Sequence, residues 1–496
     1  MELSRITLYP ATQGAETAYY KGGNPDGGAL IIAEGETVDF TTFFGALNAQ
    51  LLLEKTTVRL LTLRLFFDGK AKVTISRYLP SEKPAKQREK EFISYDLCSG
   101  EASGEYRAEA EVYGGGIIGF RITALETVTF YGGVWECDDS CIRNSVNLGV
   151  ILTAGSGDDI EQSAVLFARL KNEISGLDAY VIDRSSLLTD KALPDGIKLV
   201  PCRDLGDCGA LTRGLIECLA DRKSHFLVMR GTSSFDSNSI GRIVALLSVL
   251  CPEYANCAIT GASFDTSAPV SVCSNGECYD GVIPRRLKKG ADVSTIGGLL
   301  YASEKGEANY SDIDFYTAPM SAVKSAGLPL PLFNYSAEWG RRMNEYAPLL
   351  TTIGVGVWKA NREEKGSQYY LYRNAFISYA VGGGKSSRPL RKALKKAHRK
   401  WALTDSEKFD YVVDGVEDYL GGVDYLMALS AEKLHKEIFA SPRKNRKYFS
   451  ATFKRWGLRF RLRKAKKLNK KYRLASPELA SMKNWFIRLG LPLEET

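Results

Sequence analysis

The chain has 496 residues, 44% of them apolar and 25% charged, the balance of an ordinary globular protein and too many residues for a single hydrophobic core. No run of eighteen uncharged apolar residues occurs, and the opening MELSRITLYPATQ lacks the charged-then-apolar build of a signal peptide, so a cytoplasmic protein is expected. The net charge of +8 is unevenly placed: residues 385–473 hold 26 Lys and Arg against 9 Asp and Glu, which leaves the remainder net acidic.

Residues 1–142 read as a domain of strands. TTVRLLTLRLFF, AKVTISRYL, KEFISYDL, EYRAEAEVY, GIIGFRITAL and VTFYGGVWEC alternate apolar and polar residues, with Gly, Ser or Asp at most joints. That rhythm predicts an antiparallel β-sandwich or barrel. Nothing in the segment clusters like a catalytic site.

In residues 143–381 the rhythm changes to apolar strands alternating with helices. VNLGVILTA, LDAYVIDRS, IKLVPC and SHFLVMRG are strands of the buried type; helices are expected over 158–174, 209–220 and 237–250. This pattern predicts a mostly parallel sheet covered on both faces, with ligands at the carboxyl ends of its strands. Those ends are Thr153-Ala154-Gly155-Ser156, Asp183-Arg184-Ser185 and Arg230-Gly231-Thr232. Asp158 and Asp159 suit a helix start, where carboxylates favour the positive end of the dipole.

From Gly382 to the end the chain reads as a basic helical region, with Gly382-Gly383-Gly384 as its hinge. RKALKKAHRK sets Arg391, Lys395 and Arg399 on one face and Lys392, Lys396 and Lys400 on the next. FKRWGLRFRLRKAKKLNKKYR mixes the same charge with Trp456, Phe460 and Tyr472. A solvated helix face, an anionic-lipid surface and a nucleic-acid surface all fit this composition. The ten cysteines include no C-x-x-C pair and only three histidines accompany them, which favours reduced thiols over a zinc site.

Collinear stretches then carry a resemblance. FFGALNAQ with TTVRLLTLRLFFDGKAKVTISR, DLGDCGALTRG (204–214), PLPLFNYSAEWGRR (329–342), and YYLYRNAFI with VEDYLGGVDYL together resemble the bacterial polymerising galactofuranosyltransferases, which are inverting family 2 glycosyltransferases. The resemblance implies a multidomain α/β protein: an N-terminal jelly-roll-like β-sandwich, a central GT-A (Rossmann-like) mixed-sheet domain and a C-terminal helical region. It also implies a donor side at Thr153, Asp183, Arg184, Gly206, Gly209, Thr212, Arg213, Arg230 and Lys359. Glycines before a helix let backbone N–H groups approach a diphosphate, although a plain strand-to-helix turn fits DLGDCGALTRG as well. Phe315, Tyr316 and Trp339 would stand on the acceptor side.

The same resemblance marks departures. Arg230-Gly231-Thr232 stands where the family has its metal-binding Asp run, and Lys359 follows Trp358 where the family has a metal-binding histidine. Ser336 falls at the catalytic base, with Glu338 at the last acidic place of that segment; Ser156 and Arg184 replace donor-side Arg and Gln. Family members use Mn²⁺ or Mg²⁺ to neutralise the leaving diphosphate. Here the ligands are absent, so no metal cofactor is expected and metal-dependent transfer is expected to be lost. Two functions remain open: a glycosyltransferase of cell-surface glycan assembly with Arg230 and Lys359 in place of the cation, or a non-catalytic relative. The implied partners are a UDP-sugar, a lipid-linked glycan acceptor, a second copy or a catalytic paralogue, and an anionic membrane met through residues 385–473. The implied location is the inner face of the plasma membrane.

Overall fold

The computed structural model describes residues 1–81, 92–154, 177–184, 197–231, 233–236, 238–334, 337–360, 366–428 and 448–492. The helix expected over 158–174 therefore lies outside the described residues, as do Asp158, Asp159, Ser156, Thr232, Ser336 and His435. The protein is a multidomain α/β molecule: a curled antiparallel sheet, a mixed sheet and a set of C-terminal helices.

The first sheet contains β1 (Glu2–Ile6), β2 (Asn24–Asp26), β3 (Ala29–Ile32), β4 (Thr37–Asp39), β5 (Leu47–Asn48), β6 (Leu60–Pro80), β7 (Phe92–Glu111), β8 (Ile117–Ala124) and β9 (Val128–Glu136). Its order is β2-β3-β9-β6-β8-β4, with β1 on β9, β5 on β8 and β7 on β6. TTVRLLTLRLFF and AKVTISRYL, expected as two strands, are one. The Asp68-Gly69 pair between them, a hairpin signal in sequence, forms a bulge instead. Gly69 sits at φ +93°, and a Cβ there would meet the Thr127 carbonyl oxygen at 2.5 Å. Before this bulge β6 pairs with β9; beyond it the same edge pairs with β8. One bent strand thus curls the sheet around its own core.

The second sheet contains β10 (Leu148–Ala154), β11 (Asp178–Asp183), β12 (Ile197–Pro201), β13 (His225–Arg230), β14 (Ser234–Phe235), β15 (Ala258–Asp265) and β16 (Ala268–Ser274). After a small ladder of β17 (Glu277–Cys278) with β18 (Arg285–Arg286), β19 (Phe315–Pro319) and β20 (Leu349–Lys359) complete it. The order is β12-β11-β10-β13-β19-β15-β20-β14, with β16 on β15. β10 to β13 run parallel, as their continuous apolar runs require; β19 is antiparallel to both its neighbours. The helix Gly206–Ala220 packs so closely that a Cβ on Gly214 would lie 2.3 Å from Ile151.

The two sheets share a core. Phe43 meets Phe264 edge-on at 5.2 Å, and Trp358 stacks on Phe264 at 5.3 Å while its indole N–H donates to the Pro269 carbonyl. Arg242, on the helix Asn238–Val249, is buried at this junction. It donates to Ser4 Oγ, to the carbonyls of Arg5, Phe44 and Gly354, and to Asp236.

The basic C-terminal region is part of the fold rather than an appendage. Ser406–Gly421 and Ala465–Leu479 pack on Ser367–Val381, while Arg388–Trp401 and Tyr448–Arg461 pack on Ser406–Gly421 and on each other. Phe376, Tyr419, Tyr472 and Trp485 join Ile151, Phe226 and Tyr316 of the second sheet in one core. Tyr472 is buried there, with its hydroxyl donating to the Tyr419 carbonyl, so the sequence grouping of Tyr472 with Trp456 and Phe460 does not hold in space. Gly383 turns the chain at φ +82° between two of these helices. No helix among the described residues is long and apolar enough to cross a membrane. All ten cysteines are free.

Candidate functional site

Strand register alone gathers the first site residues. Ala154 pairs with Asp183 and Thr153 with Arg230, so the carboxyl ends of β10, β11 and β13 form one row along the sheet edge. Thr153 is buried, its hydroxyl donating to the Met229 carbonyl, and Asp183 is buried beside it. Trp358, wedged into the shared core, fixes the end of β20 and with it Lys359.

The charges on this row are joined to one another. The Arg230 guanidinium lies 3.1 Å from Asp207, 2.9 Å from Asp314 and 3.9 Å from Asp312. Lys359 pairs with the other oxygen of Asp314. Arg184 lies 3.6 Å from both Asp204 and Asp207. Burial works against the charge of Lys359, yet Asp314 and Asp312 hold its pKa above the ordinary lysine value. Burial likewise opposes ionisation of Asp312, but Lys359 and Arg230 keep its carboxyl below the usual range. Four carboxylates thus face three cations.

The antiparallel pairing of β13 with β19 brings Asp312 and Asp314, which immediately precede β19, to Arg230. A divalent cation does not fit this set. Its natural ligands, Asp312 and Asp314, already hold Arg230 and Lys359, whose charges would repel it. Among the described residues no group of three or more His, Cys, Asp or Glu is arranged to hold a metal ion.

The glycine loop is engaged by protein rather than open to phosphate. Gly206 has φ +68°, and a Cβ there would meet the Phe333 carbonyl oxygen at 2.2 Å. The Cys208 N–H donates to that carbonyl at 3.0 Å, and the Gly206 N–H donates to Asp204 Oδ1 at 3.2 Å. Phe333 holds a left-handed φ of +70°, a strained setting for a non-glycine residue. Arg373 donates to the Leu332 carbonyl and Asn374 to the Asn334 carbonyl, clamping this segment over the helix start. Further along the helix the Thr212 hydroxyl donates to the Cys208 carbonyl, and Arg213 pairs with Glu217 at 2.9 Å. Gly209 lies buried against Leu205.

The remaining candidates separate from this network. Glu338 is buried and committed to Arg342, which also donates to the carbonyls of Ala326 and Leu328; its carboxylate is part of a helix anchor. Phe315, Tyr316 and Trp339 are core residues: the Tyr316 and Phe226 rings pack on Trp339, whose indole N–H donates to the Gly327 carbonyl. An acceptor wall at these three positions is therefore corrected to core packing, because their rings are covered. Among the histidines, burial pushes His225 down to about 4, and His398 packs on Phe409.

Sequence reasoning missed Glu277. It lies on β17, whose backbone N–H donates to the Tyr310 carbonyl just before Asp312, and it sits 3.6 Å from Arg286. Burial pushes its carboxyl up to about 7; Asp312 adds to the rise, while Arg286 and Lys359 oppose it. The folded chain therefore binds this proton more tightly than the unfolded chain, whose Glu titrates near 4.5. The stability it contributes is full below the unfolded value and is lost as pH rises through about 7. Glu277→Gln is expected to flatten that fall and to raise stability at neutral pH by about 3 kcal/mol. Denaturant unfolding of both proteins at several pH values checks this; parallel pH curves would contradict it.

No protein-family model matches the chain, and no curated protein matches it. Among solved structures, a mycobacterial protein is 11% identical over 48% of this chain and 73% of its own, with a TM-score of 0.29. The UDP-glucose pyrophosphorylase from Acinetobacter baumanii is 10% identical over 52% of this chain and 100% of its own, with a TM-score of 0.25. The inositol-1-phosphate CTP transferase from T. maritima is 12% identical over 37% and 74%, with a TM-score of 0.21. Likenesses this distant leave the chemistry to be argued from the residues.

Proposed function

We propose that this chain is a galactofuranosyltransferase-like homologue of cell-surface glycan assembly from which metal-dependent transfer has been lost. The observation that carries the reading is the closed ion-pair network: Arg230 and Lys359 are engaged by Asp207, Asp312 and Asp314 at the strand ends where a donor diphosphate and its cation would lie. A diphosphate entering there would meet more carboxylates than cations and would have to displace them from Arg230. Glu338 is buried, with both carboxylate oxygens engaged by Arg342. In this reading the chain acts as a non-catalytic binder of a lipid-linked glycan acceptor or of a catalytic paralogue.

One observation favours a second reading, metal-independent transfer. Glu277 borders the network with a carboxyl poised near 7, where a general base works best. A single assay separates the readings: UDP release from UDP-galactofuranose with a lipid-linked galactan acceptor, in Mn²⁺ and in EDTA. The first reading expects no release in either. Release in EDTA that Glu277→Gln abolishes would replace it with the second, and release that requires Mn²⁺ would defeat both.

A further inference from the structure

Apart from the donor site, the helix Tyr448–Arg461 carries a surface that folding leaves unused. Ala451 and Leu458 are its buried side, facing the rest of the helical region. Phe453, Trp456 and Phe460 are 74%, 63% and 63% exposed. At about 100° per residue these three rings fall within roughly 60° of one another and point away from the buried side. A helix needs one apolar face to pack; a second, made of three exposed aromatic side chains in a row, is left uncovered by the described residues.

Charge surrounds the row. Arg459 and Arg463 lie on one flank and Lys464 on the other, all three exposed; Arg461, beside Lys464, is paired with Glu417 at 3.4 Å, and the Arg463 guanidinium sits 5.4 Å above the Phe460 ring. Exposed Lys466, Lys467, Lys470 and Lys471 continue the positive surface along the next helix. Acidic residues on this stretch are confined to Glu478, near its far end.

We infer that this face docks the protein on an anionic phospholipid bilayer, with the helix lying flat and Phe453, Trp456 and Phe460 inserted at the headgroup boundary. Aromatic rings favour that depth, and flanking Arg and Lys reach the lipid phosphates from it. Three exposed rings in one line along a helix suit a planar interface. A single-stranded nucleic acid is instead gripped in a groove, with rings set as successive stacking platforms.

The full chain is tested by co-sedimentation with phosphatidylcholine vesicles, with and without phosphatidylglycerol, at about 0.15 M salt. Binding is expected only with the anionic lipid. Phe453→Ser/Trp456→Ser/Phe460→Ser should lower the partition coefficient about tenfold or more while leaving the circular dichroism spectrum unchanged, since none of the three rings is buried. Arg459→Glu/Lys464→Glu should weaken binding too and reduce its salt dependence. Trp135, Trp339, Trp358 and Trp485 are fully buried and Trp401 nearly so, so quenching by brominated lipid reads Trp456. Undiminished binding by the triple variant overturns the proposal. So does indifference to phosphatidylglycerol, or tight binding of single-stranded RNA by a protein that ignores the vesicles.

Discussion

Arg242→Met lowers the stability of the folded chain by about 3–5 kcal/mol, the largest effect expected of any single substitution discussed. The guanidinium ties β1, the Phe44 loop and β20 together through Ser4, Arg5, Phe44 and Gly354, and it is the charge partner of Asp236. Burial pushes the Asp236 carboxyl up even with Arg242 beside it. Without Arg242 that carboxyl is left buried with no counter-charge, and the carbonyls lose their donor. Thermal and denaturant unfolding measure the loss. Arg242→Met/Asp236→Leu should recover much of it, because the isolated charge is then gone; a double variant as unstable as the sum of the singles would contradict this account.

The second large effect concerns the charges at the strand ends. Arg230→Ala/Lys359→Ala removes both cations from Asp314 and the nearer one from Asp312, and leaves Asp207 only Arg184 at 3.6 Å. At neutral pH the loss is expected to be about 3 kcal/mol or more, shrinking as pH falls and the carboxyls protonate. The same change should create a place for a divalent cation. Millimolar Mn²⁺ would then raise the melting temperature of the variant, by the linkage of ligand binding to folding, and leave the parent chain unmoved. Equal Mn²⁺ responses would mean that the two side chains do not stand in for a metal.

Much of the fold could be read from the chain because its signals are local. Alternation gave β6 to β9 of the first sheet, though β6 and β7 each read as two strands and β1 to β5 were not singled out, and the apolar runs VILTA, YVID and FLVM gave the parallel strands of the second. The error at Asp68-Gly69 arose because a bulge and a hairpin turn ask for the same residues; only the long pairing of β6 with β7 decides between them. Burial was legible less well. Phe315, Tyr316, Trp339 and Tyr472 read as site or surface aromatics, yet each fills the core, since a ring's position in a sequence does not reveal which face it takes.

The site divided along similar lines. Arg230 and Lys359, each at the carboxyl end of an apolar run, were visible in the sequence. Their partners were not: Asp312 and Asp314 arrive through the pairing of β13 with β19, and Glu277 through a single bridge to Tyr310, each many residues away. The glycine loop matched a phosphate cradle in composition, but the occupant of its first turn, the Phe333 carbonyl, comes from a segment more than a hundred residues further on.

The closed network is tested most directly by calorimetric titration of UDP and UDP-galactofuranose into the full chain, with and without Mn²⁺. The account predicts no saturable binding that depends on Mn²⁺, because Arg230 and Lys359 already occupy the carboxylates a cation would need. Saturable heat that appears only with Mn²⁺ would contradict it and return the chain to the metal-dependent transferases.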